Sequence, residues 1–394
     1  MQRIRYHCYY SKLTGYGRAA RDYLLALHRT GGVEIEIRDL AGGFISPERR
    51  YAELDQFVVS SGGRMDALDV AIYHANPLVL SQLAECGLPD EAVRVACTTW
   101  ETSSLPEHYA DELEAYTGGV IVPSTFCGEI MELADLKAHV VPHCFDEDFW
   151  VQPPAYSTAL RNDPNERYRF YAIGASGERK NMMGVLKAYL GEFTAHDRVH
   201  LMLLMGNPDF DEIRSVMARS GLPQEAMPAI SIPDGVSMND QELLELHGAA
   251  DCFVSATRGE GWGLGLFEAA IMGRHVIAPM WGGQMDFLAD YAWSRAVPFG
   301  LTPCFGSEIK GEIVERGGRM MQSSKVVLPP GVNCRQQWAE PSLADLGSDM
   351  RYLYELHDDT THEQMRAERA ALEARFGYKT VGPQLAKLLK EIAS

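Results

Sequence analysis

Residues 257–268 read TRGEGWGLGLFE, two glutamates eight positions apart with three glycines and one tryptophan between them. The run before it, DCFVSA (251–256), reads as a strand, and FEAAIM within and beyond it reads as a helix stopped by Gly273 ahead of a further strand, HVIAPM (275–280). The stretch is therefore a strand-to-helix crossover loop. Gly261, Gly263 and Gly265 let the backbone approach a ligand closely, and the helix start offers unpaired N–H groups at the positive end of its dipole. Both features suit a diphosphate. Glu268, one turn into the helix, can point back along the axis to accept from ribose hydroxyls, and Glu260 on the loop can accept from a sugar. A glycine-rich turn whose carboxylates only cap a helix has the same composition, so the residues alone leave both readings open.

The pattern around this loop places it in the second of two similar halves. Short apolar or β-branched runs at 4–10, 33–40, 69–75, 94–100, 118–124 and 138–144 alternate with helical stretches, which predicts a parallel sheet covered on both faces. After a polar, proline-bearing linker at 151–167 the alternation resumes at 169–174, 199–206, 229–232, 251–256 and 275–280. The expected fold is α/β: a doubly wound, Rossmann-like domain over 1–160, a second over 161–375, and a C-terminal helix over 376–394 that packs back on the first. Open sheets of this kind bind ligands beyond the carboxyl ends of their strands, so a central cleft is the expected site. The glycine- and proline-bearing segment 300–335 fits no element.

The 394-residue chain is 46% hydrophobic and 23% charged, without repeats or low-complexity tracts, the composition of a globular protein. Its first residues lack the features of a leader, and no run reaches the roughly 20 apolar residues that span a bilayer, so a cytoplasmic location is expected. The eight cysteines are scattered singly, as small buried hydrophobes would be. A net charge of −18 argues against a surface devoted to nucleic acid or anionic lipid. Residues 1–33 nevertheless carry Arg3, Arg5, Lys12, Arg18, Arg21 and Arg29 against Asp22, a local excess of +5 that reads either as a solvated helix face or as an anion-binding surface.

Taken with HVIAPMWGGQMDFL (275–288), the motif resembles the signature of the family-four retaining glycosyltransferases, which have the two-domain GT-B fold. Other stretches agree in order: TGYG (14–17), TTWETSSLP (98–106), VIVPSTFCGEIM (120–131), VVPHCFDEDFW (140–150), ERKNMMGVLKAYL (178–190) and a final helix. The resemblance implies a nucleotide-diphosphate sugar as donor substrate, bound by the C-terminal domain, and a hydroxyl acceptor facing the N-terminal one, with no cofactor and no metal. Glu260 then lies near the donor sugar and Glu268 at the ribose. The amides of Gly263, Leu264 and Gly265 meet the diphosphate together with Lys180, and Gly15, Tyr16 and Gly17 form the N-terminal glycine loop. Three positions depart from the pattern. The arginine that commonly precedes the lysine is absent, and Arg179, the candidate replacement, should point away from Lys180 on an extended or helical segment. Thr99-Trp100-Glu101 stands where a histidine is common, which makes Glu101 either an acceptor-side base or a hydrogen-bonding group. Gly265 replaces a frequent proline.

The activity this implies is same-face transfer through an oxocarbenium-like state, with the departing phosphate oxygen taking the acceptor's proton. The expected acceptor is a glycan or other saccharide, and the alternative, from the basic N-terminal balance, is a hydroxylated base in DNA. A metal-dependent transferase would use an Asp-x-Asp; the candidates Asp146-Glu147-Asp148 and Asp209-Phe210-Asp211 read as surface turns. A sugar-nucleotide epimerase would need acid and base groups, for which only Glu101, His74 and His143 offer themselves. A binding module without turnover is the remaining class. Pro233-Asp234-Gly235 lies on a loop where a nucleobase could sit.

Overall fold

The structure, a computed structural model, describes residues 1–59, 67–89, 92–150, 167–234, 237–304, 312–316, 319–323, 336–356 and 362–394. Nearly all of the expected linker, most of the unassigned 300–335 segment, Cys334 and Gly235 lie outside the described residues. The chain divides into two compact units, one of Met1–Glu147, Pro303–Gln337 and Ala374–Ser394, the other of Asp148–Thr302 and Trp338–Glu373.

The first unit is built on β1 (Gln2–Cys8), β2 (Val33–Asp39), β3 (Val70–His74), β4 (Val93–Cys97), β5 (Val120–Val122) and β6 (Ala138–Val140), all parallel, in the order β2-β1-β3-β4-β5-β6. Burial on both faces explains why β3, VAIYH, is buried at every position rather than at alternate ones. The crossovers include α1 (Gly15–Thr30), α2 (Pro77–Glu85), α3 (Glu107–Leu113) and α4 (Thr125–Leu133). Helices α1, α2 and α4 are capped by side chains: Thr14, Asn76 and Ser124 accept from Gly17, Val79 and Cys127 N–H groups. The C-terminal helix Tyr378–Ile392 packs on α1, adding Tyr378, Val381, Leu385 and Leu389 to the core around Tyr23 and Leu27.

The second unit repeats the design with β7 (Tyr168–Gly174), β8 (Val199–Met205), β9 (Ala229–Ser231), β10 (Cys252–Val254), β11 (His275–Pro279) and β12 (Ser294–Val297). These parallel strands are ordered β12-β11-β10-β7-β8-β9, the 3-2-1-4-5-6 arrangement of dinucleotide-binding folds. Their crossovers include α5 (Met182–Glu192), α6 (Phe210–Arg219), α7 (Asp240–Ala249) and α8 (Leu264–Ile271), with α9 (Leu343–Glu355) packed on α5. Strand β12 has no counterpart in the sequence reading, because only Val297 of its four residues is buried and an edge strand carries little apolar signal. The segment that fits no element contains β13 (Phe299–Pro303), which pairs with β16 (Gln337–Pro341), and the antiparallel pair β14 (Glu312–Arg316) and β15 (Arg319–Ser323). Among the described residues no helix is long and apolar enough to cross a membrane.

Candidate active site

In the second unit the strand order reverses between β7 and β10, so the loops leaving their carboxyl ends run in opposite directions and open a crevice. A pocket lies there, lined by Ile173 at the end of β7, Val254 and Ser255 at the end of β10, and Lys180, Glu260, Gly263 and Gly265. The glycine-rich motif thus forms one wall, and the turn before α5 forms another.

Glu260 is the centre of this site. The residue is 7% exposed, and its carboxylate accepts from Lys180 Nζ at 2.6 and 2.8 Å, from Thr257 Oγ1 at 3.0 Å and from Arg179 Nη1 at 3.4 Å. Burial alone would push its pKa up, but Lys180 first, then Arg179, then the hydrogen bonds from Lys180 and Thr257 outweigh burial and hold it below the usual carboxylate range. Arg179 and Lys180 do not diverge as an extended or helical segment would require. Residues 177–181 turn instead, with Asn181 N–H bonded to the Gly177 carbonyl at 3.1 Å and Asn181 itself at φ +49°. Arg179 makes its shorter bond, 2.6 Å, to the Gly259 carbonyl.

Arg258, which sequence reasoning passed over, ties these pieces together. Its fork holds Glu340 at 2.5 and 3.0 Å, its Nη1 donates to the Glu178 carbonyl, its N–H meets the Arg179 carbonyl at 2.7 Å, and its carbonyl accepts from Ala339. Behind Glu260, Gly283 N–H donates to the Glu260 carbonyl at 2.7 Å, and Gly282 sits at φ +108° with no room for a Cβ, which would lie 2.7 Å from that same oxygen. The Gly-Gly pair of the motif is therefore a support for the glutamate's backbone.

The amino end of α8 follows Gly263, held at φ +89° where only glycine is unstrained. Leu264 and Gly265 open the helix, and Gly265 packs so closely that a Cβ would meet the Phe253 ring at 3.1 Å. Glu268 is on the same helix but buried, 4% exposed, with Oε2 3.3 Å from His247 Nε2.

In the first unit, Gly15, Tyr16 and Gly17 are the first turn of α1 rather than a free loop. Tyr16 Oη lies 2.9 Å from Thr99 Oγ1, and its pKa is raised by burial first and by the Glu101 carboxylate next; Glu101 follows Thr99 on the loop that leaves the carboxyl end of β4. His74 and His143 are buried, bonded to Tyr6 at 2.9 Å and Tyr23 at 3.2 Å, and burial brings both pKa values down to about 3. They are neutral packed groups. The expectation of a surface turn at Asp146-Glu147 is corrected: both are buried, Asp146 on Arg29 at 3.0 Å and Glu147 on the Lys379 N–H at 3.1 Å, because the C-terminal helix covers them. Asp209 caps α6, accepting from Asp211 and Glu212. Cys86 departs from the expected burial; the other described cysteines follow it. Acids from later in the chain meet most of the basic excess of residues 1–33: Asp69 on Arg3, Glu36 on Arg5, Glu48 on Arg21, and Asp146 with Glu53 on Arg29.

No family model and no curated protein sequence matches the chain. Solved structures do. A glycosyltransferase from Rickettsia africae ESF-5 is similar at a TM-score of 0.65 and 14% identity, covering 99% of this chain and 98% of that one. HepE from Anabaena, solved with UDP and glucose, is similar at 0.64 and 15%, covering 99% and 100%. Sucrose-phosphate synthase from Thermosynechococcus elongatus is similar at 0.63 and 14%, covering 100% and 99%. The fold is GT-B. Two Rossmann-like units account for it, and the GT-B comparison extends over the whole chain, including elements that sequence reading left unassigned.

Proposed function

We propose that this chain is a glycosyltransferase that moves a sugar from a nucleotide-diphosphate donor to a hydroxyl acceptor, with retention and without a metal ion. The observation that carries the reading is the convergence of Arg179, Lys180 and Glu260 beside the amino end of α8 at the point where the strand order reverses. Two cations and a helix amino end answer the charge that develops on a departing diphosphate, the work that an Asp-x-Asp-bound ion does in other transferases. Lys180 acts as a point charge on the leaving group, the Gly263, Leu264 and Gly265 amides complete its cradle, Glu260 accepts from the donor sugar, and Glu268 serves the ribose. HepE, solved with UDP-glucose, lends support to a donor of this class.

With the leaving phosphate held in place, its oxygen can take the acceptor's proton as the sugar is attacked on the same face. In the N-terminal unit Gly15, Tyr16, Gly17 and Glu101 gather at the carboxyl end of the sheet and are assigned to the substrate-facing side. A saccharide hydroxyl is the favoured acceptor, in a cytoplasmic setting. The DNA alternative rested on a basic surface, and four of its arginines are engaged with acids of the same unit. Calorimetric titration with UDP, GDP and ADP tests the donor site. One of them should bind, about tenfold or more weaker after Lys180→Ala, since a bond to a charged group is lost. No binding by the native chain would refute the reading.

A further inference from the structure

Glu268 is joined to a chain of buried groups that the pocket does not expose. Tyr171 comes from the middle of β7, His247 from the last turn of α7 and Glu268 from α8, three elements far apart in sequence. Tyr171 Oη lies 2.6 Å from His247 Nδ1, and His247 Nε2 lies 3.3 Å from Glu268 Oε2. In a neutral imidazole one tautomer satisfies all three groups: the phenol donates to Nδ1, and Nε2–H donates to the carboxylate. Tyr171 and His247 are both fully buried.

An apolar core would be served as well by apolar residues, since burying a carboxylate costs several kcal/mol unless it is compensated. The placement of this one points to a ligand. Glu268 lies one turn behind Leu264, and helical side chains lean toward the amino end, here the end that opens on the pocket. Phe253 is a wall of that pocket, and the Tyr171 ring stands edge-on to it at 5.0 Å and 83°. His247 therefore holds one carboxylate oxygen, Oε2, Tyr171 holds the imidazole from its other nitrogen, and together they fix the direction in which Glu268 faces.

We infer that Tyr171 and His247 are positioning residues that aim Glu268 at the ribose hydroxyls of the bound nucleotide and so set the preference for a ribonucleoside over a deoxyribonucleoside diphosphate. The inference rests on the proposed donor site. Neither residue touches the reacting atoms; their effect is on which sugar the nucleotide carries.

The test measures affinity for UDP, ADP and GDP and for their 2′,3′-dideoxy analogues, using the full chain and its Tyr171→Phe, His247→Ala and His247→Gln variants. The native chain should prefer its ribonucleotide by about tenfold or more, the worth of hydrogen bonds to a charged group. Tyr171→Phe and His247→Ala should narrow that ratio to about threefold or less while leaving dideoxynucleotide affinity unchanged. His247→Gln, whose amide can supply the missing N–H, should keep most of the preference. Should His247→Ala fail to fold, Tyr171→Phe, which removes a single hydroxyl, carries the test. An unchanged ratio in Tyr171→Phe, or an equal loss of both nucleotides, overturns the inference. So does a native chain that binds both forms alike, a result that leaves the donor site standing; binding of neither form overturns the donor site and the inference together.

Discussion

Removing the Lys180 ammonium, as in Lys180→Met, should damage the protein more than removing the Glu260 charge, as in Glu260→Gln. At 2.6–2.8 Å the pair attracts by about 6 kcal/mol at an effective dielectric of about 20, most of which offsets desolvation of the carboxylate. The partners differ in what they are left with. Without Lys180, Glu260 stays buried with Thr257 and a 3.4 Å contact to Arg179, and a cost of about 2–3 kcal/mol is expected. Without the Glu260 charge, Lys180 and Arg179, whose side chains are 26% and 32% exposed, can turn toward water, and the cost should be about 1 kcal/mol. For a unit of this size the first change lowers Tm by roughly 4–12 °C. The double variant should recover part of the loss, which a thermal-unfolding cycle at pH 7 measures as coupling. Because the folded pKa of Glu260 is depressed, its stabilisation is complete above the unfolded carboxyl value of about 4.3 and is lost as pH falls through the lower folded value. The gap between native chain and Glu260→Gln should thus close on acidification. The reverse order of the two single variants, or strict additivity, would refute the reasoning.

Four further outcomes are expected. Thr257→Val, nearly isosteric, removes a bond to the carboxylate and should cost about 1.5–3 kcal/mol in urea unfolding. Gly282→Ala forces a side chain onto the Glu260 carbonyl at φ +108° and should cost more than about 2 kcal/mol, whereas Gly206→Ala, with open space around it, should be near neutral. Arg258→Lys keeps the charge but loses the fork on Glu340 and the link to Glu178, so donor turnover should fall with little change in Tm. Tyr378→Phe removes a donor to buried Asp22, which retains Tyr51 at 2.8 Å and Arg50 at 2.9 Å, and should cost about 1–2 kcal/mol.

What sequence revealed follows the range of the interactions. Strand-helix alternation is local, so both parallel sheets were legible, as was the crossover loop ending in α8. Edge strands β12 and β13 escaped because they bury little, and β16 because it is short and meets β13 more than 30 residues later. Within the site, Glu260, Lys180 and the glycines were marked by type and spacing. Thr257 and Arg258 stood in the opening motif without a sign of their role, since their partners Glu260 and Glu340 are defined by a turn and by a distant strand. His247 and Tyr171 gave no signal, for a histidine on a helix and a tyrosine in a strand are ordinary core residues until Glu268 is seen between α7 and α8. The basic N-terminus misled in the opposite way: its arginines look unopposed in sequence, but their acids arrive from Glu36, Glu48, Asp69 and Asp146.

The central claim is tested most directly by nucleotide release from UDP-, GDP-, ADP- and TDP-sugars in the presence of a chelator, with Glu260→Ala and Lys180→Met beside the native chain. Slow release from one donor, undiminished by the chelator and lost in both variants, is the predicted result. Release that needs a divalent ion would contradict the metal-free mechanism, and the absence of both release and nucleotide affinity across the panel would contradict the transferase itself.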